Sequence, residues 1–183
     1  MNPHESPRPV AADPERSPRA AAVRDPAARP YRLPARLIAE VYAHAREGYP
    51  EECCGLLVGP EGGAPTRIVR CANVQSARRA RGDSELGARH AFWFDERELL
   101  GALRDAEHRG EVLAVIYHSH VDADAYLSHA DVAGALGPSG DPLYPGAVQL
   151  VVSVREGRVH EAVCYPWDAE RGRFVGRTLE QFW

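Results

Sequence analysis

Leu113-Ala114-Val115-Ile116-Tyr117-His118-Ser119-His120 is followed by seven residues, Val121 to Leu127, and then by Ser128-His129-Ala130-Asp131. The first five residues are apolar and partly β-branched, the composition of a buried strand. Ser128 stands where a helix N-cap stands, with Asp131 three residues further on. On a strand, residues i and i+2 point to one face, so His118 and His120 project side by side. A seven-residue loop can bring the first turn of the next helix back beside the strand end, placing Asp131 near both imidazoles. Two nitrogens and one carboxylate oxygen suit zinc with one coordination position left open, the catalytic rather than the structural arrangement. Each half alone has a plainer reading, as two rim histidines or as a capping box with an acidic first turn. Their joint occurrence at this spacing, after a buried strand, favours the metal.

Around this stretch the chain reads as alternating helices and strands. Leu37, Ile38, Val41, Tyr42 and Ala45 fall at helical spacing after Pro34, and Gly48 closes that helix. Cys53 to Val58 reads as a strand and Thr66 to Cys71 as a second, joined by the turn Pro60-Glu61-Gly62-Gly63. Residues 73–90 are polar, with Arg78, Arg79, Arg81 and Arg89, and read as an irregular solvated loop or a basic flap; His90 reads as a surface residue. Ala91-Phe92-Trp93-Phe94 predicts a short strand. Asp95 and Glu98 predict a capped helix whose apolar face is Leu99, Leu100 and Leu103. The helix opened by Ser128 is short, because Gly134, Gly137 and Pro138 interrupt it. Val148 to Val154 and Val159 to Tyr165 are β-branched strands joined by Glu156-Gly157, and Arg173-Phe174-Val175 adds a last strand or edge. The expected fold class is α/β, a single mixed β-sheet flanked by helices in an α/β/α arrangement.

Composition narrows the function. Residues 1–30 are rich in Pro, Ala and Arg and hold seven of the fifteen prolines, Pro3, Pro7, Pro9, Pro14, Pro18, Pro26 and Pro30. They carry too little apolar surface to offset the entropy of ordering, which predicts a disordered tail before one domain over 31–183. A net charge of −4 and a pI near 6.1 give no sign of a nucleic-acid or membrane-surface binder. No apolar run approaches the ~20 residues that span a bilayer, and the N-terminus lacks the apolar core of a secretory leader. The chain reads as cytosolic, and its four cysteines, Cys53, Cys54, Cys71 and Cys164, as buried, inert thiols. Cys53 and Cys54 point to opposite faces of a strand, so at most one is expected to face the core.

The pattern H-x-H-x7-S-x-x-D resembles the signature of the JAMM (MPN+) metalloprotease family. That family also carries a glutamate within E-x-x-G at the opening of a strand, and Glu52-Cys53-Cys54-Gly55 fits it. The resemblance covers roughly residues 33–165 and selects Glu52 over its neighbour Glu51, which reads as solvated. One departure is Val121, where family members often have proline after the second histidine. Together with Tyr117-His118-Ser119-His120, the loop Val121 to Leu127 is similar to that of bacterial CysO-cysteine peptidases.

The resemblance implies a zinc metallopeptidase with His118, His120 and Asp131 as ligands. Glu52 is then the general acid–base on the metal-bound water, and Ser128 the donor to the tetrahedral oxyanion. The implied substrate is an amide or isopeptide bond after the C-terminal Gly-Gly of a ubiquitin-like or sulfur-carrier protein. Asp122, Asp124 and His129 fit no ligand position and read as loop residues. A non-catalytic MPN scaffold is the main rival, although every ligand position is filled. A DNA-associated relative would show H-N-H-P-S-G, and a zinc nucleobase deaminase H-x-E with P-C-x-x-C; neither occurs.

Overall fold

The computed structural model describes residues 22–183. The expected tail over 1–30 falls outside them as far as residue 21. From Ala22 the chain is described, and Val23–Arg24 (β1) pairs parallel with the last strand of the sheet.

Tyr31–Pro34 is a strand (β2), with Leu33 buried, and it leads directly into the helix Ala35–Gly48 (α1). Pro34 fixes its own φ at −61° just outside the first turn, a position that needs no backbone N–H. Leu37, Ile38, Val41 and Ala45 form the buried face of α1 at the expected spacing. Cys54–Pro60 (β3) and Arg67–Cys71 (β4) form an antiparallel pair. The central strand Glu111–Val121 (β5) runs antiparallel to β3 and parallel to Val148–Arg155 (β6). Arg158–Tyr165 (β7) returns antiparallel beside β6, after Glu156 and Gly157 turn at φ of 50° and 72°. The short Trp167–Asp168 (β8) and the ten-residue Arg173–Phe182 (β9) complete one mixed sheet of order β1-β9-β7-β6-β5-β3-β4, with β2 and β8 also on β9. The fold is α/β, as the sequence predicts.

Helices cover both faces of this sheet. On one, α1 packs on Leu57, Val115, Tyr117, Leu150, Val152 and Cys164. On the other, Glu96–His108 (α3) covers Cys54, Leu56, Val58 and Ile116, while Val132 of His129–Ala135 (α4) joins Leu127, Val151 and Val163. Double coverage corrects the expectation for the cysteines: Cys53 and Cys54 point to opposite faces, yet both are buried, each in a different core cluster. All four thiols are free, and burial pushes Cys53 and Cys71 up to about 11 and Cys164 to about 12.

Three further expectations change. Residues 73–90 hold a helix, Gln75–Ala80 (α2), which has no apolar periodicity and is anchored through buried Gln75 to Ser84 Oγ and the Leu86 carbonyl. Ala91 to Phe94 is not a ladder strand: only an isolated bridge joins Phe94 to Asn73, and the Phe92 and Phe94 rings pack inward while Trp93 stays exposed under the Arg78 guanidinium. Leu100 is exposed, and Ala106 completes the α3 face in its place. Asp95 caps α3 as expected, accepting from Arg97 N and Glu98 N.

The glycine of E-x-x-G has a packing reason. Gly55 lies opposite Tyr117, and a Cβ there would come within 2.3 Å of the Tyr117 hydroxyl and 2.5 Å of the Val69 carbonyl. The Tyr117 ring occupies that space, fully buried, and its hydroxyl pairs with His44 Nδ1 at 2.8 Å. Overpacking of this kind costs about 1–3 kcal/mol. Gly55→Ala is expected to lose that much in guanidinium unfolding. Adding Tyr117→Phe should recover little of it, since the Val69 carbonyl stays in place.

Candidate metal centre

His118 and His120 sit at the C-terminal end of β5, beside the parallel strand β6, where open α/β sheets place their ligands. Their alternation puts both rings on the face covered by α3 and α4. His118 lies opposite Cys54, and the Cys53–Ser119 pair continues the register through Cys53 N to Ser119 Oγ (2.9 Å) and Ser119 N to the Cys53 carbonyl (3.0 Å). One step further brings Glu52 level with His120 on that face.

α4 supplies the third group. Ser128 caps it, accepting from Asp131 N at 3.1 Å, while Asp131 Oδ2 accepts from Ser128 N at 2.8 Å. This reciprocal box holds the Asp131 carboxylate toward the strand end. Asp131 Oδ2 lies 3.4 Å from His118 Nε2 and 3.5 Å from His120 Nε2, and the two Nε2 atoms are 3.2 Å apart. Donor atoms about 2.05 Å from one tetrahedral zinc lie roughly 3.3–3.4 Å apart. The observed triangle matches that spacing, so the donor set fits the metal that the sequence implies.

The protonation states fit as well. The Asp124 carbonyl can only accept, so His120 Nδ1, 2.9 Å away, carries the proton and leaves Nε2 as a lone pair. Burial holds His118 below its ordinary value, against the pull of Asp131. Its Nδ1 is buried with no hydrogen-bond partner among the described residues, and its plane is set by the stacked Phe92 ring 4.4 Å away. Burial opposes the charge on Asp131, but His118, His120 and Ser128 together hold its carboxyl well below the usual range. Neutral imidazole and ionised carboxylate are the forms that bind metal.

Glu52 is buried, and its backbone is fixed by Glu52 N donating to the Ala88 carbonyl (2.7 Å) and by Asn73 Nδ2 donating to the Glu52 carbonyl (2.8 Å). Burial, and then the charge of Asp131, push its carboxyl up to about 9. A divalent cation at the centre acts in the opposite sense and favours the carboxylate. Glu51 is exposed and accepts from Ser76 Oγ. His90 and His129 are exposed too.

Several residues here carry little sequence signal. Asn73 joins four backbone groups, at Glu52, Gln75, Ala91 and Trp93, and so ties the Glu52 segment to the Phe92 wall. Asp122, at φ 54°, accepts from Arg89, Tyr49 and Glu156 N, gathering three loops at the rim. Tyr126 sets its ring edge-on to His120 with centroids 4.8 Å apart while remaining half exposed.

Comparison with known proteins agrees with this architecture. The family model for prokaryotic homologues of the JAB domain matches residues 34–165. Proteins named CysO-cysteine peptidase from Mycobacterium tuberculosis and Mycobacterium bovis are 35% identical over 133 residues, covering 72% of this chain and 78% of theirs. A solution structure from Desulfitobacterium hafniense shares the fold with a TM-score of 0.61 at 22% identity, covering 82% of this chain and 92% of its own. One from Salinibacter ruber gives 0.55 at 26%, covering 83% and 92%. The matched stretch takes in β3, β5 and α4, the three elements that build the centre, and on that match the chain belongs to the prokaryotic JAB domain family.

Proposed function

We propose that the chain is a zinc-dependent peptidase that hydrolyses the amide or isopeptide bond after the C-terminal Gly-Gly of a ubiquitin-like or sulfur-carrier protein. The observation that carries the metal part is the triangle of donor atoms on His118, His120 and Asp131, spaced for one tetrahedral ion. The substrate class rests on the 35% identity to CysO-cysteine peptidases.

Zinc, when bound, supplies a Lewis acid that lowers the pKa of a water from 15.7 toward roughly 7. Glu52 takes the proton from the attacking water and returns it to the leaving amine. Its burial keeps bulk water away from that proton. The Ser128 oxygen already accepts from Asp131 N, which leaves its own O–H free to donate to the oxyanion. Phe92 and Tyr126 wall the two imidazoles. In this reading the catalytic domain is 31–183, with Val23–Arg24 joined to its sheet, and the setting is cytosolic. Among the described residues no helix is long and apolar enough to cross a membrane.

The test is a carrier protein extended beyond its terminal Gly-Gly, incubated with the purified chain and read by mass spectrometry. Cleavage after the second glycine is expected, abolished by a zinc chelator and restored by added zinc. Cleavage that survives full chelation would overturn the metal mechanism.

A further inference from the structure

Residues 73–82 hold Arg78, Arg79 and Arg81 and no acid, in a chain whose net charge is −4. They include α2, and across a groove of about 350 Å³ they face the segment from Trp93 to Arg97 that opens α3. The Arg78 guanidinium lies 3.9 Å over the Trp93 ring, which is 42% exposed. Arg81 pairs with Asp83 and Arg89 with Asp122. Among the described residues Arg78, Arg79 and Arg97 have no carboxylate partner, and Arg78 Nε is buried without any hydrogen bond. Two acids also line the groove. Asp95 is engaged in capping α3 through Arg97 N and Glu98 N, which leaves Glu96 alone against the unpaired guanidiniums.

This surface is fastened to the metal centre. Trp93 N donates to Asn73 Oδ1 at 3.0 Å and the Trp93 carbonyl accepts from Val74 N at 2.9 Å, so the residues leading into α2 hold both its backbone groups. The same Asn73 side chain donates to the Glu52 carbonyl, and the neighbouring Phe92 ring stacks on His118. An extended chain covers about 3.3–3.6 Å per residue, so about four or five residues reach from Trp93 past Phe92 to the zinc ligands. An exposed tryptophan held under a guanidinium is a rigid anchor, and Trp and Arg are the residues that carry most binding energy in protein interfaces. Unpaired planar forks take carboxylates, and a local positive patch lets an acidic chain steer in an acidic partner. Nucleic acid is the poorer match, because the chain outside 73–82 is more negative still.

We propose that the face formed by α2 and Trp93 docks the folded body of the carrier protein through a carboxylate-bearing patch beside its C-terminal tail, while the tail runs past Phe92 to the centre. The inference rests on the peptidase reading for the identity of the partner, but its first test does not need turnover. An acidic sulfur-carrier protein, extended by one alanine beyond its Gly-Gly, is titrated by calorimetry into zinc-loaded Glu52→Gln protein. A peptide of the carrier's tail alone is titrated beside it. The carrier is expected to bind saturably, and about tenfold more weakly once Arg78→Gln/Arg97→Gln or Trp93→Ala is added. Its binding should also weaken as ionic strength rises. The tail peptide should bind equally well with and without these substitutions. With Glu52 intact, the same substitutions should raise KM for the carrier about tenfold and leave kcat and peptide hydrolysis unchanged.

Carrier binding that is absent, or indifferent to both variants, would overturn the docking face. An equal loss for the tail peptide overturns it too, because that marks a distorted centre, as does a single-stranded oligoribonucleotide that binds this face more tightly than the carrier. Carrier hydrolysis with KM unchanged in both variants counts against this inference alone. Carrier binding that depends on Arg78 and Trp93, without any hydrolysis by the native chain, supports the face and counts against the peptidase reading.

Discussion

Glu52→Gln is expected to retain the metal and to lose peptide hydrolysis by about 10²- to 10⁴-fold, the range for removing one positioned general acid–base. Glutamine keeps the shape and the buried position but cannot take a proton from water. The Glu52 backbone is held independently, by the Ala88 carbonyl and the Asn73 side chain, so the substitution leaves the strand opening in place. An uncharged amide at this point also relieves the burial that pushes the Glu52 carboxyl up, so folding stability should hold or rise slightly. Single-turnover assays on extended carrier, beside zinc content of the same sample, check both halves. Activity within tenfold of the native protein at full zinc occupancy would remove Glu52 from the mechanism.

Asp131→Ala is the second large effect, because one carboxylate serves two structures. Its Oδ2 completes the donor triangle and also accepts from Ser128 N in the capping box. Outer-shell substitutions typically cost 10–100-fold in metal affinity, so loss of a donor itself should cost more than about 100-fold. Loss of the cap contact adds about 0.5–2 kcal/mol of destabilisation. Native protein should gain thermal stability on zinc addition, about 2.7 kcal/mol at a hundredfold excess over Kd. The variant should start lower and gain almost nothing. Asp131→Asn separates the two roles, since the amide oxygen can still accept from Ser128 N while the ligand charge is gone. Zinc affinity of Asp131→Ala within tenfold of native, measured by competition with a chelator, contradicts the ligand assignment.

The stretch from Leu113 to Asp131 was legible because each of its features has one strong local cause. β-branched residues define β5, alternation pairs His118 with His120, and the Ser128–Asp131 box fixes the start of α4. α1, β3, β6 and β7 follow from equally plain apolar patterns, since each is packed against the central sheet. Elements held by polar contacts were hidden. α2 exists because Gln75 and Asn73 satisfy buried backbone groups, and Gln-Ser-Ala-Arg-Arg-Ala shows no periodicity to announce it. Phe92-Trp93-Phe94 has strand composition, but its backbone groups bond to Asn73 and Val74 and Phe92 lies on His118, so side-chain burial won over strand pairing. The second half of β9 is polar on its exposed residues; its ladder with β2, from Tyr31↔Leu179 to Pro34↔Phe182, is a contact between chain ends that no local window contains.

The same division holds at the centre. Glu52 was found through the E-x-x-G pattern, and the structure supplies its physical content: Gly55 leaves room for Tyr117, the residue that precedes His118, so the two motifs interlock through one ring. Phe92, Tyr126 and the Asp124 carbonyl act on the imidazoles from segments whose sequence is unremarkable for such a role.

The central claim is that His118, His120 and Asp131 hold one metal ion. Its most direct test is the zinc content of purified native protein by elemental mass spectrometry, beside the His118→Ala/His120→Ala variant. About one zinc per native chain is expected, with almost none in the folded double variant. A native protein that stays metal-free after zinc is supplied, or a double variant that binds zinc equally well, would contradict the account and favour a non-catalytic scaffold.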